Sequence, residues 1–295
     1  MTILRIATCQ FPVSADAGQN ADWMTRQMRE AAGRGARVAH FPEGALSGYA
    51  GADFETFAGY GWDDLDRATG RIQECAAGLG IWVVAGSAHR RADGQAPHNS
   101  LYVIADDGAI AERYDKRFLG GTDPEHYHPG GHFSTWAIDG IQCGALICYD
   151  YRFPELYRRY VTLSVQLMFH SFHAGNVSPE RLAAIGAVIG TEYAPLNPAA
   201  TFSYPGITMP AVMTASAACN HLWISCPNSS AAESLWPAFF VRPDGVTTGR
   251  LERNVPGVLI SVVDTEQELY DSTGPWRDRA IGGVLHSGEL TGDDR

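Results

Sequence analysis

The sequence predicts a layered α/β fold in which two sheets lie between helices. Three observations carry that reading: a strand-helix-strand opening, a middle section of strands broken by Asp-Gly turns, and renewed helix-strand alternation after residue 148. In the opening, "RIATCQF" alternates apolar and polar residues as a strand does. "NADWMTRQMREAAGRGA" then places Trp23, Met24, Met28 and Ala31 on one helical face, with Gly33 and Gly35 marking the end. "RVAHF" reads as a second, buried strand. In open α/β sheets ligands gather beyond the carboxyl ends of such strands, and "PEGALSGY" occupies that position here.

A helix near "RATGRIQECAAGLG" leads into the strand "IWVVAGSAH", followed by "NSLYVIAD", "AIAERYDK", "FSTWAID" and "IQCGALICY". The hairpin signals between them are "DDG" at 106–108 and "DG" at 139–140. "FPELYRRYV" reads as a short helix with Pro154 in its first turn, and "VQLMFHSF" as the next strand. Ser178 and Pro179 open a helix over "SPERLAAIGAVIGTEYA". "PLNPAATFSYPGITMP" (195–210) is rich in Pro and Gly and long enough to shape a site. "AVMTASAACNH" resumes a helix, "LWISCP" a strand, "AFFVRPDGVTTGRL" a hairpin around Asp244 and Gly245, and "GVLISVVD" the last strand. The tail from "YDSTGPW" to Arg295 shows no period. With no repeat, low-complexity tract or linker, the expected organisation is one domain over 1–295, with 271–295 as a C-terminal extension.

Composition narrows the function. The chain has 295 residues, 45% hydrophobic and 19% charged, as an ordinary globular protein does. Its 22 basic and 33 acidic side chains give a net charge of −11, which argues against a nucleic-acid partner, because phosphate binding relies on clustered Lys and Arg. No apolar run approaches the roughly 20 residues of a membrane helix, and the N-terminus lacks a basic region followed by a signal core. A small-molecule partner and a cytoplasmic location are therefore expected. Cys9, Cys75, Cys143, Cys148, Cys219 and Cys226 are dispersed and form no CxxC, so free thiols are the default.

The chain contains no GxSxG elbow, no GxxxxGK[ST] loop, no HExxH and no dinucleotide-binding glycine fingerprint. What remains is a set of polar residues at strand ends: Glu43 after "VAHFP", Lys116 after "AERYD" and Cys148 after "GALI". A thiol needs a base to become a thiolate, and a carbonyl under attack needs a positive group beside its developing oxyanion. Glu43 suits the first role and Lys116 the second. Taken singly each has an ordinary reading, a solvated loop charge or a packing cysteine.

Taken together, "FPEGALSGY", "YDKRFLGG" and "GALICYDYRFPELYR", in this order and spacing, resemble the Glu, Lys and Cys signatures of the carbon-nitrogen hydrolase (nitrilase) superfamily, in its amidase-like branch. The resemblance runs from "RIATCQFP" to "GVLISVVD". It implies a four-layer αββα sandwich and a cofactor-free, metal-free hydrolase cleaving a non-peptide C–N bond of a small linear amide. In that scheme Cys148 attacks the carbon, Glu43 takes its proton and passes it to the departing amine, and Lys116 with the backbone N–H of Tyr149 holds the oxyanion. Water then hydrolyses the thioester. The family also uses a second Glu between its Lys and Cys, for which Glu125 in "DPEHYHPGG" is the nearest match, although the spacer to Pro-Gly is shorter than usual. The Arg-Ala-x-Glu-Asn signature of many members is represented only by Asn220 in "SAACNHLWISCPN". By resemblance a homo-oligomer is expected.

Tyr49, His170 and His173 are expected near substrate, the two histidines because "FHSFHAG" ends a buried strand; Phe202 and Tyr204 are further acyl-pocket candidates. His170 or His173 could instead serve as base, as in papain-like schemes. His126, His128 and His132 in "HYHPGGH" raise a metalloenzyme as a rival reading, against which the Pro-Gly-Gly turn works by separating them. Arg152 and Glu155 are read as scaffold. The same motifs would also suit a nitrilase acting on a nitrile, or a catalytically silent binding scaffold that keeps the fold.

Overall fold

The computed structural model describes residues 3–189 and 204–288. In chain order the first part gives β1 (Ile3–Gln10), α1 (Ala17–Gly33), β2 (Val38–His40), α2 (Trp62–Leu79), β3 (Trp82–His89), β4 (His98–Ile104) and β5 (Ile110–Asp115). Next come α3 (Asp123–His126), β6 (Thr135–Ile138), β7 (Ile141–Ile147), a 3-10 turn over Cys148–Arg152, α4 (Pro154–Thr162) and β8 (Leu167–Ser171). The last part holds α5 (Pro179–Ile189), α6 (Tyr204–Asn220), β9 (Trp223–Cys226), β10 (Phe239–Val241), β11 (Thr247–Arg250), β12 (Gly257–Asp264) and α7 (Arg277–Ile281).

The strands form two six-stranded sheets, ordered β12-β1-β2-β3-β4-β5 and β11-β10-β9-β8-β7-β6. In the first, β1, β2 and β3 are parallel and β4 and β5 fold back as an antiparallel meander. In the second, β7, β8 and β9 are parallel. Strand alternation explains the layering. Leu4, Ile6, Val38 and Val84 point into a core shared with Cys143, Ala145, Leu167 and Phe169 of the second sheet. Ala7, Cys9, Ala39, Val83 and Ala85 point the other way, against Ala21, Met24, Met28 and Ala31 of α1 and Leu65, Ala68, Ile72 and Ala76 of α2. On the far side, Tyr157 and Tyr160 of α4 and Met209, Met213 and Ala217 of α6 cover the second sheet. The order helix, sheet, sheet, helix is the expected αββα sandwich.

A buried polar chain crosses the apolar space between the sheets. Ser171 donates its hydroxyl to the Phe41 carbonyl (2.8 Å), so it accepts from His40 Nε2–H (2.8 Å). His40 Nδ1 then accepts from Ser225 (2.8 Å), whose own oxygen accepts from Thr8 (2.7 Å). Donor and acceptor assignments close without a conflict, which a buried network requires. Burial, and then nearby His170, pull the His40 pKa well down, keeping the ring neutral in this arrangement.

Most elements lie where the sequence puts them, with informative exceptions. Helix α2 starts at Trp62, five residues before the expected "RATGR", because Gly61 and the acidic pair Asp63 and Asp64 open an extra turn at its positive end. Strand β7 stops at Ile147, so Cys148 opens the 3-10 turn. The "DPEH" segment, expected as loop, is a single helical turn with Pro124 inside it, and the tail contains α7. Phe202, the end of the helix expected from Ser178, and residues up to 203 of the expected loop lie outside the described residues; from Tyr204 to Pro210 that loop is the start of α6.

Gly86 in β3 sets how closely Glu43 approaches the sheet. A Cβ there would lie 2.2 Å from the Pro42 carbonyl oxygen and 2.7 Å from the Glu43 Cα, both rigid backbone. Gly86→Ala should therefore destabilise the fold by about 1–3 kcal/mol and reduce Cys148 reactivity; denaturant melts and thiol alkylation check both.

Candidate active site

Strand polarity gathers the expected residues at one end of the sandwich. Glu43 follows the carboxyl end of β2 and Lys116 that of β5, which runs parallel to β2 because β4 lies antiparallel between β3 and β5. Asn99, at the start of antiparallel β4, reaches the same edge, while Cys148 and His173 follow the carboxyl ends of β7 and β8 in the facing sheet.

Lys116 is the centre. At 1% exposure its Nζ lies 2.8 Å from Glu43 Oε1 and 2.7 Å from Asp123 Oδ2. Burial opposes the ammonium charge, but Glu43, and further Tyr49, Cys148 and Asp123, outweigh it and raise the pKa well above the usual lysine value. Glu43 is itself fully buried and accepts from two further donors. Oε1 also accepts from Asn99 Nδ2 (2.7 Å), and Oε2 accepts from the His173 backbone N–H (3.0 Å). Lys116 is anchored through its own backbone too, donating to the Asn99 carbonyl (2.8 Å) and accepting from Gly130 N–H (2.7 Å). Only glycine fits at 130, where a Cβ would meet the Asp115 carbonyl oxygen at 2.2 Å.

Cys148 stands at a backbone φ of +39°, a left-handed conformation rare for a side chain other than Gly, Asn or Asp. Three restraints hold that turn. Asp150, fully buried, accepts from Ile147 N–H (3.1 Å), Phe118 N–H (2.9 Å) and the Tyr114 hydroxyl (2.8 Å), tying β7 to the segment carrying Lys116. Burial pushes the Asp150 carboxyl up to about 6 despite these donors. From beneath, His170 Nε2–H donates to the Cys148 carbonyl (3.1 Å) while Nδ1 accepts from the Tyr157 hydroxyl (2.6 Å). Burial brings His170 down to about 3, so the ring is neutral. Finally, the Tyr149 ring packs on Gly120, where a Cβ would sit 2.6 Å from it. The half-buried Cys148 thiol is pushed well up, first by desolvation and then by the Glu43 charge, with Lys116 offsetting only part. The thiol is therefore protonated at rest.

Glu43, Lys116 and Cys148 thus converge as expected, and the Tyr149 N–H belongs to the turn that Cys148 opens. The carboxylate beside Lys116 is Asp123, not Glu125. In a helical turn two residues point apart when two positions separate them; α3 therefore buries Asp123 and leaves Glu125 exposed. Asp123 also accepts from Gly120 N–H (3.2 Å) and from the Tyr49 hydroxyl. Tyr49 packs beside this cluster, with Lys116 Nζ 5.7 Å from its ring centroid. His170 lies elsewhere: β8 alternation turns it to the helical side, beneath Cys148. The His173 ring faces Asp53 and stacks on Tyr49 at only 1% side-chain exposure, away from open solvent. Their ring nitrogens are engaged elsewhere, those of His170 by Tyr157 and the Cys148 carbonyl and His173 Nε2 by Asp53. The histidines of "HYHPGGH" diverge, His132 turning to the Arg113 carbonyl and His128 to that of Pro129. Among the described residues no three His, Cys, Asp or Glu side chains come together to hold a metal.

Sequence reasoning missed Asn99, Asp123 and Asp150. The only available signal was "TDPE", an acidic residue before Pro at a helix start, which matching by residue type passed over in favour of Glu125.

Comparison with known proteins identifies the family. The carbon-nitrogen hydrolase family model matches residues 5–269, and the chain belongs to that family. It is 30% identical over 179 residues to the omega-amidase NIT2 of Homo sapiens, covering 58% of this chain and 63% of that protein. It is 30% identical over 138 residues to the 2-oxoglutaramate amidase of Bacillus subtilis, covering 46% and 52%. The matches therefore span a little over half the length of these relatives. Among solved structures, a cysteine-to-alanine variant of the nitrilase-superfamily amidase from Nesterenkonia AN1 superposes with a TM-score of 0.73 at 20% identity, over 96% of this chain and 97% of that one. A glutamate variant of the same amidase, which carries the acetamide moiety of fluoroacetamide on its active-site cysteine, gives 0.70 at 20% identity, over 88% and 90%. These structures share the fold.

Removing Asp123 leaves a buried ammonium short of one counter-ion, whereas Glu125 touches nothing in the site. Asp123→Ala should cost on the order of 3 kcal/mol, and Glu125→Gln less than about 0.5 kcal/mol. Paired urea melts check the contrast, which reverses if Glu125 is the partner.

Proposed function

We propose that this protein is a cofactor-free amidase that hydrolyses the C–N bond of a small linear amide through a thioester on Cys148. The observation that carries the reading is the buried Glu43–Lys116 ion pair at the mouth of one sheet, with Cys148 opening the turn at the mouth of the facing sheet, where the Glu43 charge helps to keep its thiol protonated.

The proton starts on sulfur, so attack and deprotonation are coupled. As Sγ forms its bond to the amide carbon, Glu43 accepts the thiol proton, and the carbonyl π-pair moves onto oxygen. Lys116 Nζ–H and the Tyr149 N–H are the donors for that oxyanion, the first because its charge is held high and the second because it follows the strained Cys148. Collapse breaks the C–N bond as Glu43 returns the proton to nitrogen, releasing ammonia or an amine. A water molecule, deprotonated by Glu43, then adds to the thioester; C–S cleavage returns the proton to sulfur and frees the carboxylate. Asp123 is the second partner of Lys116 and stands beside it when Glu43 is protonated. The relatives named omega-amidase and 2-oxoglutaramate amidase make ω-amides of short acids the first substrates to try.

Ammonia release should be measured for matched amides and nitriles. We expect turnover of an amide, none of its nitrile, and a loss of about 10⁴-fold or more in Cys148→Ala with an unchanged melting temperature. Retained activity in that variant, or a preference for the nitrile, would sink the reading.

A further inference from the structure

Behind Glu43 lies a second buried ion pair that the chemistry above leaves unused. Asp53, in the loop after β2, places Oδ2 3.0 Å from Nε2 of His173, and each side chain is 1% exposed. Asp53 is braced further by Tyr49 N–H (2.9 Å) on the same oxygen and by the Asn176 amide (2.5 Å) on the other. The His173 ring lies against Tyr49, with centroids 5.1 Å apart and planes 19° from parallel. Its backbone N–H is the donor to Glu43 Oε2 at 3.0 Å. Tyr49 donates to Asp123, the other carboxylate on Lys116. One histidine thus touches both ends of the catalytic charge cluster, Glu43 through its own main chain and Asp123 through Tyr49.

We propose that Asp53 and His173 form a positioning pair that orients the Glu43 carboxylate toward Cys148 and holds Tyr49 on Asp123. The pair joins the loop after β2 in one sheet to the loop after β8 in the other. It rests on the reading of Glu43 as base for Cys148. The groups facing His173 are Asp53, Glu43 and Tyr49 from the first loop and Asn176 from its own, with Lys116 beyond the Tyr49 ring. Burial works against the imidazolium, but Asp53 and Glu43 outweigh it and raise the His173 pKa. Burial likewise works against the Asp53 carboxylate, and His173 with its hydrogen bonds lowers it on balance.

The test compares wild type, Asp53→Asn, His173→Phe and the double variant, using amide turnover and the rate of Cys148 alkylation by iodoacetamide. His173→Phe preserves the stack on Tyr49 and the main-chain donor but removes the pair. Each single variant should lower kcat about tenfold with KM nearly unchanged, slow alkylation in parallel, and lose little more in the double variant. Asn176→Ala, at the exposed edge, gives a milder loss in the same direction should Asp53→Asn fold poorly. A raised KM with kcat intact makes the pair a substrate contact, and unchanged kcat and alkylation make it structural only; either overturns the proposal. Alkylation displaces iodide and cleaves no C–N bond, so a wild type that alkylates quickly yet turns over no amide refutes the amidase reading while the pair is still judged.

The pH dependence provides a further check. A raised histidine contributes its stability in full below its ordinary value near 6.5, and a lowered aspartate above its ordinary value near 4. The melting-temperature gap between wild type and Asp53→Asn should be widest between those values and close as pH rises past the elevated His173 pKa. A gap constant from about pH 5 to 9 contradicts the pairing.

Discussion

Lys116 keeps its positive charge at 1% exposure, and that condition dictates much of what surrounds it. An ammonium taken out of water costs several kcal/mol unless good partners replace the solvent. Two carboxylates, Glu43 and Asp123, supply them, leaving a net negative cluster whose outer oxygens need donors in turn. Asn99, the His173 main chain, Gly120 and Tyr49 meet that need, each from a different segment. Burial first, and then the same negative surplus, raise the Cys148 pKa, so its resting form is the thiol. Charge burial and the state of that thiol follow from one arrangement.

The turn at Cys148 answers a different requirement. A nucleophile must protrude from the strand end, and the left-handed conformation that achieves this is unfavourable for a residue with a Cβ by roughly 1–2 kcal/mol. Asp150 and His170 oppose that strain by hydrogen bonds on both sides of the residue. Both are buried, and both direct their polarity at one short span of chain, so a side chain that looks catalytic by type is here a support for the backbone.

How far the sequence anticipated this depends on the kind of signal. Sequence patterns located β3 and β12 to within about one residue and β1 and α1 to within about three, because each buries most of at least one face. Glu43, Lys116 and Cys148 stood out as polar residues at strand ends, but it was the resemblance of their three motifs, in order and spacing, to one family that singled them out. The second carboxylate was not legible: "TDPEH" offers two acids two positions apart, and only the single turn of α3, too short to leave a period, decides that Asp123 faces inward. Asn99 was hidden for another reason, because its role comes from antiparallel pairing of β4, a relation between distant segments. His170 shows what parity adds: its position within β8 places it on the helical side of the sheet.

The polar chain from Thr8 through Ser225, His40 and Ser171 to the Phe41 carbonyl ends two residues before Glu43. Glu43 and Lys116 belong to one sheet and Cys148 to the other, so their separation is the gap between two slabs. Those hydrogen bonds act as a gauge block: they fix slab against slab in translation, which interdigitated aliphatic side chains resist only weakly. Substitutions deep in the core, far from any substrate, would then register as changes in rate before they register as changes in shape.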